Sequence, residues 1–282
     1  MIKTDFLHEL DRFSLVVHKR VTSNYAGPRR SIAFGRGVVF KDHRIYAPGD
    51  DYRAIDWKVF ARTDDLYIKT YEEERNLVVH IIVDFSSSMN FGKPVTKFDY
   101  ASMIGVGFAY LAMKDNEKIQ FSTFADTLEV FQPKKGMSQL AAMVEHMNSI
   151  KMKGKSNVKD AMKKYKKMIG SRAMIIIMSD FLINIEEIKA ALHLLGNHEI
   201  KVIQVLDPVE KGLKLQGDYR LKDSETGQKV RASISPRLRS AYQKQLDEHC
   251  DSIADACIAQ KIDYHLITTD VPIFDAFYEI LK

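Results

Sequence analysis

The chain has 282 residues, 42 Lys and Arg against 37 Asp and Glu, a formal net charge of +5, and 45% hydrophobic residues. That is ordinary globular composition, ample for one large domain with an appendage, and it excludes a fold that depends on disulfides or structural zinc for want of a core. The mild positive charge permits acidic or nucleic-acid partners and demands neither.

No run approaches the roughly 20 apolar residues of a membrane-spanning helix. The N-terminal MIKTDFLHELDRF carries charge where a signal peptide is apolar, so the expected location is cytoplasmic. The two cysteines, Cys250 and Cys257, sit in a stretch that reads as helix. Their seven-residue spacing puts them roughly 10 Å apart, too far for a disulfide and consistent with small core residues in a reducing compartment.

Residues 1–75 read as an amphipathic helix, TDFLHELDRFSLVV, followed by a small β-rich appendage that contains RIYAPGDDYRAIDWKVFARTDDLYIKTYEEER. Residues 76–282 alternate strand and helix. NLVVHIIVD is an apolar strand ending on an acid, and KFDYASMIGVGFAYLAMK is a helix apolar on most sides. EKIQFSTFAD is a strand, with TLEVFQP pairing back on it, and MSQLAAMVEHMNSI is an amphipathic helix. After a KGKSN loop, VKDAMKKYKKMI places Val158, Met162, Tyr165 and Met168/Ile169 on one face. SRAMIIIMSD reads as a buried strand, IEEIKAALHLLG as a helix stopped by Gly196, and EIKVIQVLD as a strand.

An insert at about 215–234 has two alternating runs flanking Thr226-Gly227, the pattern of a β-hairpin. Ser235 and Pro236 then cap and start a long helix with Leu238, Tyr242, Leu246, Cys250, Ile253 and Cys257 toward the core. IDYHLIT is the last strand and VPIFDAFYEIL the last helix. The fold class is therefore α/β, a doubly wound and mostly parallel sheet covered on both faces. Such sheets bind ligands at the carboxyl ends of their strands.

Those ends carry a constellation of hard oxygen donors. Asp84, Ser86 and Ser88 leave the first apolar strand, Ser156 lies in the loop before VKDAMKKY, and Asp180 closes the strand AMIIIM beside Ser179. Two carboxylates and three hydroxyls suit Mg²⁺ or Mn²⁺ and not zinc or copper. The one-residue spacing of DxSxS lets three side chains turn toward a common centre. With so little negative charge such a site seeks a further anionic ligand, and a Glu or Asp from a partner protein is the natural one.

The DFSSS motif with Ser156 and Asp180 resembles the metal-ion-dependent adhesion site (MIDAS) of von Willebrand factor A domains. RIYAPGDDYRAIDWKVFAR resembles the hallmark of the family called domain of unknown function 58, a likeness that covers about Arg30 to the end. The resemblance implies that Asp84, Ser86, Ser88, Ser156 and Asp180 are the metal residues. It implies a protein-interaction module and, as partner, a MoxR-type AAA+ ATPase. Family members usually carry Thr where Ser156 stands, and many have two N-terminal membrane helices, which are not seen in this sequence.

Other features have plainer readings. Asp50, Asp51, Arg53, Asp56, Trp57 and Arg62 fit a bonded turn network that pins the appendage, with Trp57 as an anchor. The eight lysines of residues 151–167 fit a solvated helix face, though they can also steer an acidic partner or bind nucleic acid through Lys163, Lys164, Lys166 and Lys167. No HExxH, P-loop or defensible Ser–His–Asp order is present. The enzymatic alternative is a Mg²⁺-dependent phosphatase or phosphotransferase of haloacid dehalogenase type. Ser86 argues against it, because such enzymes need an acid two residues after the nucleophile to protonate the leaving group. The expectation is a non-enzymatic protein.

Overall fold

The structure is a computed structural model that describes Thr4, Leu7, Leu10 and residues 38–73, 78–132, 134–150, 154–169, 173–196, 198–213, 215, 217–224 and 227–282. Contacts divide the chain into two compact units, Val17–Asn76 and Met1–Val16 with Leu77–Lys282.

In the smaller unit, β1 (Val38–Ile45) pairs antiparallel with β2 (Tyr67–Glu73) around a short helix, α1 (Trp57–Thr63). The carboxylates expected to form a network do local work. Asp51 accepts from the Arg53 backbone N–H, and Asp56 caps α1 through the Lys58 N–H while its other oxygen meets His43 at 2.9 Å. The ion-pair partner of Asp50 is Arg44, at 2.9 Å, and not Arg53 or Arg62. Arg62 instead donates to the Lys58 carbonyl one turn back. Trp57 is largely exposed, edge-on to Phe60, and so is not the anchor expected of it. The amphipathic helix TDFLHELDRFSLVV falls mostly outside the described residues.

The larger unit is built on a six-stranded sheet in the order β10-β7-β6-β3-β4-β5. Its strands are β3 (Val78–Asp84), β4 (Lys118–Phe124), β5 (Leu128–Val130), β6 (Met174–Ser179), β7 (Glu199–Leu206) and β10 (Asp263–Thr268). All pair in parallel except the edge strand β5, which turns straight back on β4. Both central strands, β3 and β6, are buried nearly along their length and mostly apolar because helices cover both faces. On one face lie α2 (Lys97–Lys114) and α8 (Ile273–Leu281); on the other, α4 (Val158–Tyr165), α5 (Ile185–Leu195) and α7 (Pro236–Ala259). The helix α3 (Met137–Ser149) packs beside α2. This is a doubly wound α/β arrangement with a mostly parallel sheet.

Local chemistry sets the helix ends, at Ser235, Pro236 and Gly196 as expected and at Thr96 in addition. Thr96 caps α2 through the Asp99 N–H, Ser235 caps α7 through the Leu238 N–H with Pro236 at the first helical position, and Gly196 ends α5 at φ +68°. Val158, Met162 and Tyr165 point into the core as their spacing requires, and the described lysines of α4 and the turn after it face solvent. The insert is a hairpin of β8 (Gly217–Lys222) and β9 (Lys229–Ile234), with Gly227 at φ +71° in its loop.

Two details differ from the sequence reading. Leu238 is exposed, because the first turns of α7 bury none of their residues; burial along the stripe is firm only from Leu246 onward. A five-residue helix, α6 (Pro208–Gly212), follows β7 where no element was expected. Cys250 and Cys257 are buried free thiols. Among the described residues no helix is long and apolar enough to cross a membrane.

Candidate metal centre

The chain leaves β3 toward β4 on one side and returns to β6 on the other, so the crevice at the carboxyl ends of β3 and β6 is the topological switch point of the sheet. Asp84 is the last residue of β3, and Asp180 follows the last residue of β6. Both carboxylates are buried.

Asp84 is the hub. Its Oδ2 accepts hydrogen bonds from the hydroxyls of Ser156 and Ser179, each at 2.7 Å, and its Oδ1 accepts the Ser86 backbone N–H at 2.8 Å. The Ser86 and Ser88 hydroxyls lie 3.1 Å apart, with Ser86 fully buried and Ser88 partly so. Ser156 comes from a remote loop held in two places. The Gly154 carbonyl accepts the Ser87 N–H at 3.1 Å, and Asp126 accepts the Lys155 N–H at 3.0 Å. Gly154 sits at φ +83°, and an added Cβ would lie 2.1 Å from an Asp126 carboxylate oxygen, so glycine is required there.

Burial lifts the Asp84 carboxyl above its ordinary range, and the nearby charge of Asp180 lifts it further; the bonds from Ser179, Ser86 and Ser156 oppose this incompletely. A carboxylate held at this cost, in a pocket of hydroxyls, is suited to a cation.

Asp180 has a different set of neighbours. Lys97, the first residue of α2, is fully buried, and its Nζ donates at 2.8 Å to Asp180 Oδ2 and at 2.8 Å to Glu210 Oε1. Asp180 Oδ1 faces the Leu182 N–H at 3.3 Å. Phe181, between them, is buried at φ +50°, an unusual conformation for an aromatic residue and one that concentrates at functional sites. The Phe181 turn is held by its own N–H on Ser179 Oγ and by His249 at its carbonyl. Glu210 belongs to α6, where its other oxygen accepts the Asp207 N–H and closes a capping box.

The five residues singled out in the sequence thus fall into two groups. Asp84, Ser86, Ser88 and Ser156 form one bonded cluster. Asp180 stands beside it, near enough to raise the Asp84 carboxyl, but its own carboxylate is paired with Lys97. Lys97 and Glu210 went unrecognised. One signal was available: a lysine in the first turn of an apolar helix opposes the helix dipole and invites the question of what holds it. Burial pulls the Lys97 ammonium down, and the two carboxylates beside it more than reverse that, so it is a charged donor to both. No cluster of three or more His, Cys, Asp or Glu side chains suited to a metal exists among the described residues. The donor set is hydroxyl-rich, and two carboxylates with three hydroxyls fit a hard divalent ion.

The model of the family described as "Protein of unknown function DUF58" matches residues 42–252. The chain belongs to that family. Among its relatives, the uncharacterized protein Rv1480 of Mycobacterium tuberculosis is 26% identical over 250 residues, covering 87% of this chain and 79% of the relative. YeaD of Bacillus subtilis is 24% identical over 136 residues, 48% of this chain and 32% of that protein. Among solved structures, BatB of Bacteroides thetaiotaomicron aligns with TM-score 0.46 and 16% identity, over 72% of this chain and 96% of its own. The von Willebrand factor domain of the pilus tip protein Mfa5 of Porphyromonas gingivalis aligns with TM-score 0.37 and 12% identity, over 72% and 94%.

Proposed function

We propose that this DUF58 protein is a non-enzymatic protein-interaction module whose binding depends on Mg²⁺ or Mn²⁺. The observation that carries this reading is the convergence on Asp84, where hydroxyls from two distant segments meet one carboxylate oxygen. Asp84, Ser86, Ser88 and Ser156 would hold the ion, with Asp180 behind them. A bound divalent ion supplies a Lewis-acidic centre that takes a carboxylate from a second protein. The chain's own part is to present buried, prearranged oxygens and to leave one side of the ion to the partner.

The family resemblance makes a MoxR-type AAA+ ATPase, or a client presented to one, the proposed partner. The phosphatase alternative finds no support at Ser86, whose hydroxyl sits where a leaving-group acid would have to stand. Nucleic-acid binding through α4 is a weaker alternative, since the basic face carries no interleaved aromatic platform.

Calorimetric titration of Mg²⁺ and Mn²⁺ into chelator-stripped protein tests the reading. Binding that is present in the wild type and absent in a folded Asp84→Ala variant supports it. Binding that survives the substitution places the ion elsewhere and defeats it.

A further inference from the structure

Lys97 is the strangest residue in the larger unit. Lysines are almost never fully buried unless paired, and a cation in the first turn of a helix opposes the helix dipole. Lys97 is fully buried in the first turn of α2, and its ammonium links the carboxylates of Asp180 and Glu210. The bonded order Asp180–Lys97–Glu210 joins the chain just past β6 to α2 and α6, beside the Asp84 cluster.

We propose that Lys97 is a tethered counter-cation that sets the affinity of the metal centre and makes it depend on a carboxylate from outside. This rests on the metal-site reading above. Asp84 and Asp180 together offer two negative charges to a divalent ion, and Lys97 offsets one of them. An ion at Asp84 therefore meets an under-neutralised site and a like charge behind Asp180, and a partner's carboxylate restores the balance. Glu210 moderates the effect by drawing the same ammonium toward α6. Remove Glu210's charge and the lysine bears on Asp180 alone; remove the lysine and both site carboxylates serve the ion.

The inference has a signature that a structural salt bridge lacks: the two ends of one ion pair shift metal affinity in opposite directions. Mg²⁺ and Mn²⁺ are titrated into chelator-stripped, full-length wild type, Lys97→Met, Glu210→Gln and Asp84→Ala. Lys97→Met is expected to bind about tenfold tighter, and Glu210→Gln about three- to tenfold weaker. Acetate, a small carboxylate probe, is expected to strengthen metal binding in the wild type more than in Lys97→Met. Wild-type binding too weak to register, with measurable binding in Lys97→Met, is the same result in stronger form.

Unchanged or weaker binding in a folded Lys97→Met overturns the inference. Should that variant not fold, Glu210→Gln decides alone, since it leaves the lysine in place; unchanged or tighter binding there overturns the inference. Loss of binding in Asp84→Ala with no change in either Lys97→Met or Glu210→Gln refutes this inference and leaves the metal site standing. Binding retained in Asp84→Ala, or absent from the wild type and Lys97→Met alike, removes the site reading and the inference with it.

Discussion

Ser156 donates its hydroxyl to Asp84 at 2.7 Å across 72 residues of sequence, and it shares that carboxylate oxygen with Ser179. A loop on one side of the sheet is thereby fastened to the strand end at the centre of it. Ser156→Ala should lower Mg²⁺ affinity at least about tenfold, and loss of a bond to a buried carboxylate should cost about 1–3 kcal/mol of stability. Ser156→Thr, which keeps the hydroxyl, should hold both near wild type. Calorimetry and urea melts read the two quantities, and equal damage from Ala and Thr would show that the loop's shape matters and the hydroxyl does not.

Gly107 of α2 lies against Phe277 of α8. A Cβ built there would stand 2.2 Å from the Phe277 ring and 2.9 Å from Leu10 Cδ1. Helix propensity alone predicts that Gly107→Ala stabilises by about 1 kcal/mol. Overpacking of a tight core contact costs about 1–3 kcal/mol, and with the ring at 2.2 Å it should win. The variant is therefore expected to unfold at lower denaturant with unchanged metal affinity. A stabilised variant would mean that the Phe277 ring moves aside freely.

His80 gives the stability a pH dependence independent of the metal centre. It is buried in β3, 2.8 Å from the Tyr165 hydroxyl. Burial, assisted by the charge of His198, lowers its imidazole to about 4. The unfolded chain takes up that proton near pH 6.5. Between about pH 4 and 6.5 the unfolded state binds more protons, so the contribution is complete above about 6.5 and is lost as pH falls, on the order of 3 kcal/mol in all. Urea unfolding of wild type and His80→Gln at pH 7.5 and 4.5 checks this. The wild type should lose more stability over that interval than the variant; equal losses would show that His80 does not titrate on unfolding.

The strand–helix alternation was legible because each buried strand is a short apolar run and some helices announce their ends, as at Ser235 with Pro236 and at Gly196. Asp84 and Asp180 were legible together because parallel strands deliver their carboxyl ends to one edge. What joins them was not. The contact of Lys97 with Asp180 spans 83 residues and that with Glu210 spans 113, and no local pattern announces a pairing over such distances. α6 was missed although Asp207, Pro208 and Glu210 spell a capping box, because five residues carry no hydrophobic period to draw attention to them. Leu238 was misplaced for the converse reason: its period is right, but the helix outruns the core beneath it.

Anomalous diffraction from crystals grown with Mn²⁺ tests the central claim most directly. The account predicts a peak about 2.1–2.2 Å from the Ser86 and Ser88 hydroxyls, next to Asp84, with an acidic side chain or a carboxylate from the medium on its open side. A well-ordered crystal with no peak at Asp84, or with the metal bound elsewhere, would contradict it.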